Sequence, residues 1–422
     1  MELPECIHRI GKGIFLLDGF TFESSFSLYR NPYRTRIIVE EIEHETAVSI
    51  HGLFSSGNTT ARLTGTLDDG MPVNASGLQA NAIGKFTATE GISFGRTRDT
   101  APTQSRYPLT GYFGGALTLF HNGWNINTIP LADPDVAREL AENWHIPVEG
   151  TVLRLRHEGS TMDEHRGFAR IIMNLLSIAS GTGVSCDRHF FEWDGDEIEI
   201  WSYWTGDEIG PGTIVPDFEI VRFLEQTLSV WQSLPQKQQE ALRLARDYIN
   251  LSALGYLDTR LLYILQAWEF LAEAWGIKEG ALSDSEAGLR KALLQANKKW
   301  HKDQQKVDVD GYWGKRITSV FDWPRLRDAI EKLANRFGLN LKQVGLDLDL
   351  LKDARNSVAH SGRLPISLNR SNRESLDLLT SGQYCLQLLL LRILTYQGKV
   401  YHSTGRIRTI VDIDEALARA RT

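Results

Sequence analysis

The segment Arg355-Asn356-Ser357-Val358-Ala359-His360 sets a guanidinium, a carboxamide and an imidazole within one short stretch. Arginine keeps its charge near neutrality and grips phosphate oxygens with a planar fork of donors. Histidine gives or takes a proton at the same pH. On a regular helix Asn356 and His360, four residues apart, stack on one face, and Arg355 beside them reaches round with its long side chain. The rise from Arg355 to His360 is about 7.5 Å, roughly the span of a phosphodiester and its neighbouring sugar hydroxyl. The simpler reading has Arg355 pairing with Asp349 or Asp353 and His360 decorating a helix C-terminus, where a partly cationic ring is favoured.

A helix is what must position these groups. Leu350, Leu351, Ala354 and Val358 recur at helical spacing, Gly362 suits the left-handed position after the last turn, and Pro365 forbids continuation. The helix is therefore expected to stop close to His360.

At 422 residues the chain exceeds what one core usually supports, so two domains are expected. The formal net charge of -7 gives no global attraction to nucleic acid or anionic membrane, and any RNA contact requires a local basic patch. Cys6, Cys186 and Cys385 are far apart, which argues against a disulfide framework or structural zinc and fits a reducing, cytoplasmic location. The start Met-Glu-Leu-Pro-Glu-Cys-Ile-His does not read as a signal peptide. The apolar run from Cys385 to Leu394 is too short to span a bilayer and reads as a buried helix. No membrane association and no cofactor are expected.

The first half reads as α+β and mainly sheet. Strands are predicted around Gly13–Phe20, Thr35–Val39, Thr46–Ile50, Gly114–Phe120 and Thr151–Arg156, a helix from Asp133 and another over Phe168–Ile178, and a hairpin over His189–Trp204 turning at Asp194-Gly195. From about Asp217 the texture becomes helical. The boundary is placed near residue 235, giving a β-rich α+β regulatory or sensing domain over 1–235, an all-α domain over 236–398 and a tail over 399–422. Helices are predicted over Gln238–Asn250, through Leu261–Trp275, over Ser283–Trp300, from Trp323-Pro324 to Phe337, over Leu341–His360 and over Glu374–Leu394. The last is apolar around most of its circumference, which a bundle core combined with a subunit interface would satisfy. The tail carries a strand-like Arg406–Val411 and a short helix from Asp414.

Further candidates are read against plainer roles. Glu269, on the polar side of its helix, is within reach of the site, although such a glutamate is usually solvated. Arg363, Arg370 and Arg373, with Lys298, Lys299, Lys302 and Lys306, are candidates for the basic surface RNA requires; with Asp303, Asp308 and Asp310 interspersed, a solvated face is the plainer account. Ala179–Ser185 has the glycines of a phosphate loop but trails a helix, so an exit turn is expected. Glu192, Asp194, Asp196 and Glu197 crowd a hairpin tip, where an Asp-Gly turn explains them better than a metal. Trp124 offers a stacking surface, with core packing the commoner use.

An all-helical domain whose late helix carries Arg-Asn-x-x-x-His followed by Ser-Gly resembles the HEPN superfamily, over roughly Gln238–Leu394. The domain order, a β-rich half, then a helix and hairpin ending near Trp204, then the bundle, resembles ApeA-type anti-phage abortive-infection proteins. These resemblances imply a metal-independent endoribonuclease with a composite site at a homodimer seam. They assign catalysis to Arg355, Asn356 and His360; Arg363, Arg370, Arg373 and Glu269 remain the candidates, read from the residues themselves, for substrate contact. The substrate would be host or phage RNA, tRNA included, and a phage-derived trigger would act on the first domain. The alternative is a noncatalytic HEPN-like dimerisation or nucleotide-binding module beside a ligand-recognising first domain.

Overall fold

The computed structural model describes residues 7–17, 20–31, 34–39, 42, 46–47, 60–82, 85–96, 98–131, 148–202, 210–277, 284–303, 326–361, 372–404 and 407–418. The chain divides into two compact units, one of Met1–Leu176 with Gly183–Glu208 and one of Ser177–Thr182 with Ile209–Thr422.

The first unit holds a 12-stranded sheet. Strands β1 (Ile7–Leu17), β2 (Phe20–Asn31), β3 (Arg34–Val39), β4 (Thr60–Leu67), β5 (Pro72–Ala82) and β6 (Lys85–Phe94) follow the order β3-β2-β1-β4-β5-β6, and β6 returns to β3 through Ile37↔Phe86. That pairing closes a barrel and removes its edges. The free edge of β6 is divided: its start pairs with β3, and its end pairs with β12 (Asp196–Trp201) through Ile200↔Ser93. The sheet then runs through β11 (Arg188–Trp193), β7 (Gln104–Thr110), β10 (Glu149–Arg156), β9 (Trp124–Pro130) and β8 (Leu117–His121).

Period-two patterning drives the closure. In β1, Gly11, Gly13, Phe15 and Leu17 point inward, while Ile10, Ile14 and Leu16 face out. Phe15 stacks on Phe22 and Phe86 at ring separations of 5.0 and 5.6 Å and meets Phe26 edge-on at 6.1 Å. A side chain at Gly11 would put its Cβ 2.9 Å from the Phe26 ring, so the barrel centre requires the missing side chain there. Trp201 lies in the same core, 4.5 Å from the Phe94 ring, with the Arg9 and Arg30 guanidiniums 5.4 and 5.2 Å from its own ring.

Helix α1 (Met162–Ser180) begins at a capping box in which Thr161 N–H donates to Glu164 at 2.7 Å and Glu164 N–H donates to Thr161 Oγ1 at 3.3 Å. It starts six residues before the expected Phe168, because this box supplies a nucleus ahead of the apolar stripe. The predicted strand over Thr46–Ile50 is corrected in part: Thr46 and Ala47 are helical, and 48–50 lie outside the described residues, as does the expected helix from Asp133.

The second unit is helical, with a C-terminal hairpin. Its elements are a short 3-10 turn (Asp217–Glu219), α2 (Ile220–Ser233), α3 (Gln236–Leu251), α4 (Leu257–Ala274), α5 (Asp284–Asp303), α6 (Leu326–Arg336), α7 (Leu348–Ser361), α8 (Asn372–Ile393), β13 (Lys399–Thr404), β14 (Ile407–Asp412) and α9 (Ile413–Ala418). The unit's main segment starts at Ile209, ahead of the boundary placed near 235 and close to the change of texture at about Asp217, and Ile220, Phe223, Leu224, Leu228 and Trp231 are buried along α2 within it.

Helix α4 is the hub, packed against α3, α6, α7 and α8. Its Leu261, Ile264, Leu265, Trp268 and Leu271 are all buried. Helix α8 is buried without interruption from Ser381 to Leu391. The single chain covers this stretch, while Leu376 in the first half of the helix is 47% exposed. Gly382 faces Ile264 of α4, Gln383 donates to Ser252, Tyr384 Oη bonds His402 Nδ1 at 2.8 Å, and Gln387 donates to the Gly212 carbonyl at 3.1 Å. The C-terminal hairpin is thus part of this core. Tyr401 N–H donates to the Ile214 carbonyl at 2.8 Å, and the Tyr396 hydroxyl donates to buried Glu219 at 3.2 Å.

Candidate active site

Helix α7 carries Arg355, Asn356 and His360 together in its last two turns. Asp347 caps its start, accepting from Leu350 N–H at 2.9 Å through its side chain and from Leu351 N–H at 3.0 Å through its carbonyl. Leu351 and Ala354, three residues apart, are fully buried and fix the rotation of the helix, which packs on α4 and α6. Arg327 of α6 bridges to Glu331 at 3.2 Å and across to Asp349 at 2.5 Å, tying α6 to the first turn of α7. Those carboxylates raise the Arg327 pKa further.

The two acids near Arg355 in the sequence face other cations. Asp349 is engaged by Arg327, and Asp353 faces Lys352 at 3.9 Å. Asn356 and Ser357 are half-buried. The Arg355 and His360 side chains lie outside the described residues, as do Arg363 and Arg370. Arg373 is exposed in the first turn of α8, and Glu269 is half-buried on α4, the helix against which α7 packs. The backbone thus unites the three motif residues on one helix and puts Glu269 on its neighbour.

The remaining candidates resolve into structural roles. Ala179–Ser185 includes the exit of α1, where Gly181 at φ 62° ends the helix and its N–H returns to Ser177 at 3.0 Å. Asp194-Gly195 turns the β11–β12 hairpin, with Gly195 at φ 85°. The carboxylates there are held by arginines: Arg106 pairs with Glu192 and Glu197, and Arg98 with Asp196. Trp124 packs inside, 4.4 Å from Phe168 and 4.8 Å from His165 between ring centroids. Among the described residues no group of three or more His, Cys, Asp or Glu is placed to hold a metal ion.

One constellation escaped sequence reasoning. Ser105 Oγ lies 2.6 Å from His165 Nδ1, between β7 and α1. A serine beside an imidazole suggests an activated nucleophile. Both side chains are fully buried, however, so a substrate has no access to them. Burial first, and then the nearby His157, push the His165 pKa down to about 4, and the ring stays neutral. The pair is a core hydrogen bond, and its 60-residue separation gave no signal in the sequence.

Comparisons with protein families, with curated proteins and with solved structures found no match to this chain.

Proposed function

We propose that the chain is a HEPN-type endoribonuclease of anti-phage defence, acting by abortive infection on host or phage RNA. The observation that carries this reading is the placement of Arg355, Asn356 and His360 on the last turns of one capped helix inside a mainly helical unit. Cleavage proceeds by internal attack. The ribose 2′ hydroxyl loses its proton to His360 and bonds to the adjacent phosphorus, and the departing 5′ oxygen takes a proton, leaving a cyclic phosphate and a free 5′ hydroxyl. Arg355 stabilises charge on the nonbridging oxygens, and Asn356 orients the ring or the phosphate. The second histidine that a two-step proton transfer wants comes from a second copy at a homodimer seam, and Glu269, Arg363, Arg370 and Arg373 contribute to holding the strand.

Support for the dimer comes from the resemblance and from this need for paired acid and base. Burial of α8 lends it none. The test is expression of wild type and His360→Ala in growing cells with RNA analysed at intervals. The proposal expects growth arrest and new RNA 5′ hydroxyl ends with wild type and neither with the variant. Equal arrest by both proteins contradicts it and leaves the noncatalytic module as the reading.

A further inference from the structure

The part of the sheet built from β7 to β12 has two unlike faces. On one of them Leu119, Ile126, Leu155, Ser105, Phe191 and Ile198 form a single row across the strands, and all are buried. This is the side that meets α1, through Ser105 and His165. The alternate positions point the other way. Thr118, Asn127, Arg154, Arg106, Phe190 and Glu199 form one row there, and Phe120, Asn125 and Arg156 begin the next. All of these are half-buried or exposed. Trp124 thus turns toward α1, while Asn125 and Asn127 on either side of Ile126 turn to the polar face.

The cations of the polar face fall into two groups. Arg106 holds Glu192 and Glu197, and Arg188 holds Glu149. Arg154 and Arg156, two residues apart on β10, meet no carboxylate among the described residues. The Arg154 Nε is shut off from solvent without an acceptor, and the Arg156 Nε donates to the neutral Gln104 Oε1 at 2.5 Å. Hydrogen-bond direction beside them runs the same way. Thr118 Oγ1 donates to Asn127 Oδ1 at 2.8 Å and Asn127 Nδ2 donates to Asn125 Oδ1 at 2.6 Å, so the side-chain acceptors are taken and the Asn125 amide N–H groups are left. Water serves the exposed donors, but a half-buried guanidinium with a shielded N–H and no counter-charge costs free energy that a bound anion recovers. An acidic peptide would supply carboxylates and leave Phe120 unused. That ring is 71% exposed on β8, in the Arg156 row and two strands, or about 10 Å, away. A planar base laid against it leaves attached phosphates over the two arginines.

We propose that the polar face of β8, β9 and β10 binds a nucleoside polyphosphate, with Arg154 and Arg156 gripping phosphate oxygens, Asn125 donating beside them and Phe120 stacking on the base. The site belongs to the first unit alone and does not rest on the ribonuclease reading.

The experiment titrates the full chain by calorimetry with each of the common ribonucleoside triphosphates and, separately, with inorganic tripolyphosphate. At least one nucleotide is expected to bind. Arg156→Gln should weaken it at least about tenfold, and Arg154→Gln should do the same. Phe120→Ala should weaken nucleotide about tenfold and leave tripolyphosphate unchanged. Arg156 and Phe120 are both exposed, so these two variants keep the fold, which near-ultraviolet circular dichroism checks. No nucleotide binding by the parent, or full affinity in Arg156→Gln, overturns the proposal. Tripolyphosphate binding as tightly as any nucleotide, with Phe120→Ala without effect, reduces the site to an anion patch and overturns the nucleotide assignment. So does polyglutamate or single-stranded RNA bound through Arg156 where no nucleotide binds. His360→Ala should bind nucleotide as the unsubstituted chain does, so failure of the ribonuclease reading and failure of this site are scored apart.

Discussion

The Gln383 side chain, in the middle of α8, donates to both the carbonyl and the hydroxyl of Ser252, at 3.2 and 2.8 Å. Ser252 is the residue that follows α3, and its carbonyl, at a helix end inside the core, accepts from this amide and from Arg260 Nε at 2.6 Å. Both residues are buried. The polar positions of α8, Gln383, Tyr384 and Gln387, all find partners within the same unit.

Gln383→Leu therefore removes both bonds to Ser252 and leaves its carbonyl with Arg260 alone. The expected cost is about 1 kcal/mol, read as a lower midpoint for the helical unit in chemical denaturation. No change in midpoint would show that the amide is dispensable to this core.

A pH dependence follows from His165. Its folded pKa is about 4 against 6.5 in the unfolded chain, so between these values the unfolded state binds more protons. Stability is fully present above about pH 6.5 and is lost as the pH falls toward 4, by about 3 kcal/mol for a shift of this size. Half-buried His189, also held to about 4 by burial and by Arg166, adds in the same direction. Unfolding free energies measured from pH 7 to 4.5 should fall, and His165→Phe should flatten the decline. An unaltered slope in that variant would count against a neutral buried His165.

Phe15 sits among Phe22, Phe26 and Phe86 at the centre of the barrel. Phe15→Ala should cost about 3–5 kcal/mol. The loss should appear as early unfolding of the β-rich unit by tryptophan fluorescence, Trp201 being in the same core.

Much of this architecture was written in local patterns. The Asp-Gly hairpin, the leucine-rich helix and the Gly-terminated exit of α1 were legible because each depends on residues close in sequence. Barrel closure was not, because Ile37↔Phe86 pairs strands whose periodicity says nothing of partners. The capping box at Thr161 and Glu164 was present as a T-x-x-E signal, but the apolar stripe farther on drew the start of α1 to Phe168. Helix α8 was legible only in part. All-round apolarity correctly required burial on several sides, yet composition alone does not distinguish a hairpin of the same chain from a partner. At the candidate site the motif and its helix were legible; the capping by Asp347 and the Arg327 bridge to Asp349 were not.

Arg355→Lys tests whether charge alone suffices at the proposed site. An ammonium keeps the charge but lacks the planar fork that grips two oxygens, so RNA cleavage should fall at least about tenfold while folding is unchanged. Full activity in the lysine variant would show that a point charge serves equally well.

The central claim is most directly tested by incubating purified full-length protein with RNA in the presence of excess chelator and identifying the new ends, with His360→Ala in parallel. The unsubstituted chain is expected to cleave, leaving 2′,3′-cyclic phosphate and 5′ hydroxyl ends, and the variant, with the same circular dichroism, is expected not to. Cleavage that vanishes with chelator, or that His360→Ala retains, would contradict it.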